Sequence, residues 1–114
     1  MRPPLGEAVR AAQDHKALEL NLLNLAGICS FTDYFLLCSA TSTRHAQAIC
    51  DAICEQLKAS GVRPTHVEGY SQAEWILVDY LNFVVHIFSQ RARQFYDLER
   101  LWKAAEKIPI TNSE

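Results

Sequence analysis

No apolar run in the chain approaches the roughly 20 residues that a bilayer-spanning helix needs. The opening Met-Arg-Pro-Pro-Leu carries one charge and no long apolar stretch, so it reads as neither a secretory signal nor an Arg- and Ser-rich transit peptide. A cytoplasmic protein without membrane contact is expected. There is no Cys-x-x-Cys pair either. The cysteines Cys29, Cys38, Cys50 and Cys54 are expected to be reduced thiols. Cys50 and Cys54 would share a helix face, but a metal there needs two further ligands, and His45 is the only neighbour in reach. Also missing are a G-x-S-x-G elbow and a phosphate-cradling G-x-x-x-x-G-K. A basic excess is lacking as well: 11 Lys and Arg stand against 13 Asp and Glu, a net charge of −2. Proteins that hold nucleic acid through phosphates usually carry that excess. Little direct nucleic-acid contact is therefore expected, and a basic protein is the favoured partner. No catalytic residue, metal or cofactor is assigned.

What remains is a chain of 114 residues, 49% apolar and 21% charged, enough for one core and one domain. Pro4 to His15 reads as an amphipathic helix, with Leu5, Ala8, Val9 and Ala12 on one face. Ala17 to Leu25 alternates in part and reads as a strand that breaks at Gly27. Asp33 to Ala40 reads as a buried strand. Thr41, Ser42 and Thr43 supply N-cap candidates for a helix whose apolar face holds Ala46, Ile49, Cys50, Ile53, Cys54 and Leu57. Gly61 ends that helix and Pro64 prevents its return. Thr65 to Glu68 is a short strand. Glu74 to Tyr80 and Phe83 to Ser89 form a hairpin, the second strand apolar on both faces as a covered central strand should be. Gln90 to Lys107 reads as a last helix, with Phe95, Leu98, Leu101, Trp102 and Ala105 on one face and Asp97 capping a second segment inside it. The expectation is an α/β (α+β) fold: a mixed, roughly five-stranded sheet flanked by helices. Residues 1–107 form the single domain and residues 108–114 a flexible tail.

Two constellations stand out. The turn Ser39-Ala40-Thr41-Ser42 resembles the phosphate-binding corner of nucleotidyltransferases, in which the next strand supplies paired carboxylates for two metals. Here His66-Val67-Glu68 offers one carboxylate, and Asp51 lies on the intervening helix. His66, Glu68 and His86 are a conceivable metal set, against the plainer reading of satisfied structural polar groups. The second constellation is the strand from Glu74 to Tyr80. Alternation puts Trp75, Leu77 and Asp79 on one face, and Ile76, Val78 and Tyr80 on the other. Either the two aromatics are core residues, or they anchor a protein partner, as Trp and Tyr often do.

Taken in order, several segments resemble the ribosomal silencing factor family, also called RsfS or Iojap. They are Phe31 to Phe35 (FTDYF), Ser39 to His45 (SATSTRH), His66 to Gly69 (HVEG), Trp75 to Tyr80 (WILVDY), Val84 to Phe88 (VVHIF) and Phe95 to Trp102 (FYDLERLW). The match runs from about Leu5 to Ala105. Two positions depart from the family pattern: Ala40 replaces the usual glycine of the turn, and Leu81-Asn82 replaces Gly-Asp after the Asp-Tyr pair. The resemblance implies a nucleotidyltransferase-like fold without catalysis. It implies binding to ribosomal protein L-fourteen on the joining face of the large ribosomal subunit, steric block of subunit association, and repression of translation under nutrient limitation. It assigns Trp75, Asp79 and Tyr80 as partner contacts, with Leu77 and Leu81 as neighbours. The protein is expected to be a monomer or a weak homodimer. The alternatives are a large-subunit assembly factor and a small nucleotidyltransferase.

Overall fold

The protein is described from a computed structural model covering residues 3–110. The first helix, α1 (Pro3–Asp14), opens on two prolines and buries Leu5, Ala8, Val9 and Ala12, the face that the i, i+3, i+4, i+7 spacing selects. Two strands come next, β1 (Leu18–Asn24) and β2 (Tyr34–Ala40). The long helix α2 (Thr43–Ala59) is capped by Ser42, whose hydroxyl accepts from the His45 amide at 3.0 Å. It ends where Gly61 takes φ +81°, with the Gly61 amide donating back to the Lys58 carbonyl. Then come β3 (His66–Glu68), β4 (Trp75–Asp79), β5 (Phe83–Ser89), the short helices α3 (Gln90–Tyr96) and α4 (Leu98–Leu101), and β6 (Glu106–Ile108).

The sheet order is β3-β4-β5-β2-β1-β6. Only β2 and β5 run parallel; the other pairs are antiparallel. The helices divide the two faces. On one, α1 and α2 bury Ala12, Ile49, Ile53 and Leu57 against Leu22, Leu36, Ile76, Val78, Val85 and Ile87. On the other, the shorter α3–α4 segment brings Ala92, Leu98 and Trp102 against Leu23, Phe35, Leu37, Val84 and Phe88. Six of the seven residues of β5 are buried, because it lies between β4 and β2 with helices on both faces. The long helices α1 and α2 cover more of their face than the shorter α3–α4 segment covers of the other, and that difference creates the candidate site. Among the described residues no helix is long and apolar enough to cross a membrane.

Three expectations need correction. The sheet has six strands among the described residues, not five: Glu106–Ile108 pairs with the free edge of β1, Leu22 opposite Ile108. A three-residue strand has no periodicity to read; the open edge of β1 gives it structure. The expected helix from Gln90 to Lys107 is broken. Asp97 takes the left-handed conformation (φ 48°, ψ 55°) and its side chain makes no capping bond. The break turns α4 away from the line of α3, so Leu98 is buried while Phe95 and Leu101 are 79% and 73% exposed. Their expected common buried face does not exist. Finally, Ile108, placed at the start of a tail, closes β6; residues 111–114 of that tail lie outside the described residues.

Candidate docking surface

In β4 alternation decides which side chains meet which layer. Ile76 and Val78 are fully buried under α2, while Trp75, Leu77 and Asp79 point to the α3–α4 face and are half-buried. The short helices meet this row at its Trp75 end, through Tyr96. Beyond it lies only β3, whose three residues are all exposed.

Trp75 is held on several sides. Its ring centroid lies 5.1 Å from that of Phe88 and 4.6 Å from that of Tyr96. Its indole Nε1 donates to His86 Nδ1 at 3.0 Å. Tyr96 in turn meets the exposed Phe95 edge-on at 5.0 Å. Across the same face Phe35 contacts His86 at 4.4 Å and the exposed Phe31 at 6.2 Å. The result is a partly open aromatic surface running from Phe95 through Tyr96 and Trp75 toward Phe31. Burial pushes the His86 imidazole down to about 3, so it is neutral at neutral pH.

The hairpin tip closes the row. Leu81 takes φ +71° and leaves its side chain 61% exposed. The Asp79 carboxylate accepts from the Leu81 amide at 2.8 Å. Thr32 Oγ1 donates to the Leu81 carbonyl at 2.9 Å, and the Asp33 amide to that of Asn82 at 3.1 Å. The turn thus keeps a left-handed residue where this chain has leucine, and the segment before β2 clamps it there.

Of the five residues assigned from the family resemblance, four share this surface: Trp75, Leu77, Asp79 and Leu81. Tyr80 does not. It faces the α1–α2 layer, 7% exposed and stacked on Phe83 at 4.9 Å. Its hydroxyl neighbours the Cys54 thiol without forming a bond of good geometry, and burial, then Cys54, push its ionisation up. On that side Tyr80, Leu5, Tyr34 and Phe83 help to line a cleft of about 320 Å³. Phe95 and Tyr96 were missed as surface residues. The available signal was adjacency: neighbours on a helix sit about 100° apart, so two adjacent aromatics rarely both face a core.

The nucleotide-like corner is already occupied by the protein itself. The Thr41 amide donates to His45 Nδ1 at 3.0 Å, and His45 Nε2 donates to the His15 carbonyl at 2.8 Å. Ser39 is buried and its hydroxyl accepts from Arg93 at 2.9 Å. The carboxylates are dispersed. Glu68 pairs with His66 at 3.0 Å, whereas both Asp51 oxygens accept from the Tyr70 hydroxyl. His86 does not join His66 and Glu68, because Leu77 stands between Glu68 and His86 in the strand register. No cluster of three or more His, Cys, Asp or Glu side chains suited to a metal occurs among the described residues.

Comparison with known proteins gives a consistent result. The model of the family described as "Ribosomal silencing factor during starvation" matches residues 2–114. Ribosomal silencing factor RsfS of Bacillus subtilis is 38% identical over 95 residues, 83% of this chain and 80% of its own. The protein of the same name from Halalkalibacterium halodurans is 37% identical over 103 residues, 90% of this chain and 88% of its own. A crystal structure of a Bacillus halodurans protein superposes with a TM-score of 0.83 at 36% identity, covering 93% of this chain and 96% of that one.

Proposed function

The chain belongs to the ribosomal silencing factor family, and from that premise we propose that it represses translation by docking on the large ribosomal subunit and obstructing the small one. The observation that carries the proposal is the open row Trp75-Leu77-Asp79, continued by Leu81 at the hairpin tip. It combines a large aromatic anchor, aliphatic contacts and a terminal carboxylate. An anchor of this kind, ringed by smaller contacts, is the usual make-up of a protein–protein hot spot. The acidic end suits a basic partner, and ribosomal protein L-fourteen on the joining face of the subunit is the partner the family resemblance implies. Tyr80 acts from beneath, supporting the hairpin from the opposite layer. The partner is protein, with little direct nucleic-acid contact, and the factor works in the cytoplasm as a monomer or weak homodimer.

The block is steric and involves no catalysis. A body with a radius of gyration of 12.8 Å is far larger than the contact distance between joined subunits. His45 at the corner amide and the dispersal of Glu68 and Asp51 support a scaffold that has no use for nucleotide.

Sedimentation tests the proposal. Purified protein is added to separated subunits, and free large subunits carrying the protein should persist in proportion to the amount added. Trp75→Ala should weaken that binding by about thirtyfold. A folded Trp75→Ala variant that binds like the parent removes the docking surface from consideration. Immature particles in cells lacking the protein, with normal joining of mature subunits, would mean an assembly factor instead.

A further inference from the structure

An imidazole buried in the middle of a sheet is costly unless its nitrogens are used. His86 sits at the centre of β5, 3% exposed, between Leu37 of β2 and Leu77 of β4 in register. Its ring meets Phe35 edge-on at 4.4 Å and lies parallel to Phe88 at 6.1 Å. Phenylalanine would satisfy that packing without a desolvation cost. The polar ring has one use among the described residues: Nδ1 accepts from the Trp75 indole at 3.0 Å, while Nε2 has no hydrogen-bond partner. Accepting at Nδ1 places the ring proton on Nε2, which fixes a single neutral tautomer.

Trp75 gains from this arrangement. The second side-chain torsion of tryptophan is broad, so stacking on Phe88 and Tyr96 alone leaves the indole more than one setting. A bond from its only polar atom to an immobile acceptor selects one. Fixing an anchor before its partner arrives removes an ordering cost from binding.

Resting on the reading that Trp75 docks on the subunit, we propose that His86 is a positioning residue that pre-sets the Trp75 indole for docking through the Nε1–Nδ1 hydrogen bond. His86 touches no partner. Its influence passes entirely through Trp75.

The test uses the full chain and purified large subunits. His86→Phe should fold and bind about fivefold more weakly, the value of one neutral hydrogen bond. His86→Gln restores an acceptor and should recover part of that loss. On a Trp75→Phe background, which has no indole donor, His86→Phe should cost nothing. An equal loss on both backgrounds overturns the proposal, since His86 would then act through packing. With Trp102→Phe making Trp75 the only tryptophan, His86→Phe should also make its fluorescence easier to quench with acrylamide. Nitrogen NMR of the parent needs no variant: His86 should be protonated at Nε2 alone. A proton on Nδ1 there overturns the inference, even if His86→Phe fails to fold. If Trp75→Ala weakens binding but His86→Phe does not, only the positioning role is lost. If Trp75→Ala binds like the parent, the docking surface and the positioning role both fall.

Discussion

The Arg93 guanidinium of α3 reaches across the sheet to donate to Ser39 Oγ of β2 at 2.9 Å, 54 positions away in the sequence. The same head group donates to the Glu19 carbonyl at 2.7 Å and pairs with Glu99. Asn21 adds a bond to that carboxylate at 2.7 Å. Burial pushes the Glu99 carboxyl up, but its bonds to Arg93 and Asn21 outweigh this and hold it below the usual range. One side chain thus ties the broken third helical region to β1 and β2.

Arg93→Ala should cost about 3 kcal/mol of unfolding free energy, because it strands Glu99, Ser39 and the Glu19 carbonyl together. Urea denaturation followed by far-ultraviolet circular dichroism measures this. A loss below about 1 kcal/mol would show that solvent replaces the guanidinium.

Acid should weaken the fold through His86. Its folded value of about 3 lies below the ordinary 6.5. Below pH 6.5 the unfolded chain takes a proton that the folded chain refuses, so stability is full above that point and falls with falling pH. The slope approaches 1.4 kcal/mol per pH unit, to order of magnitude. The difference between parent and His86→Phe, measured from pH 6.5 down to 4.5, isolates this contribution. Parallel curves would contradict it.

Leu81→Gly should separate stability from binding. A non-glycine residue in the left-handed region costs about 1–2 kcal/mol, and glycine recovers most of this less its own entropy. A gain of about 1 kcal/mol is expected in thermal melts. Removing a 61% exposed leucine from the docking row should at the same time weaken subunit binding severalfold.

Gly69 should tolerate no side chain. At φ +78° an added Cβ would fall 2.1 Å from the Trp75 carbonyl oxygen. Gly69→Ala should therefore cost at least about 2 kcal/mol by denaturant titration and displace the backbone of Trp75.

Much of this architecture was legible in the sequence wherever one side chain pattern served one layer. The alternation of Trp75 to Asp79 and the two-sided burial of β5 come from strand geometry, and α2 announces itself through Ser42 and its apolar face. Even the separation of Trp75 from Tyr80 was legible, since five residues along a strand reverses the face. Grouping them as contacts came from their residue types near the strand ends, and then from the family motif. The break at Asp97 was half-visible as a second segment, but the exposure of Phe95 and Leu101 was not, because a single left-handed residue resets the helical phase. The bond between Trp75 and His86 had no sequence signal, for it depends on cross-strand register.

The pairing of β6 with β1 has a bearing on biogenesis. Residues 106–108 lie near the end of the described chain and 18–24 near its beginning. As the polypeptide emerges, the outer edge of β1 stays unpaired until Glu106–Ile108 have been made and released. Exposed strand edges recruit other strands. Until β6 arrives, the Leu22–Asn24 stretch of that edge is therefore open to pairing with another strand.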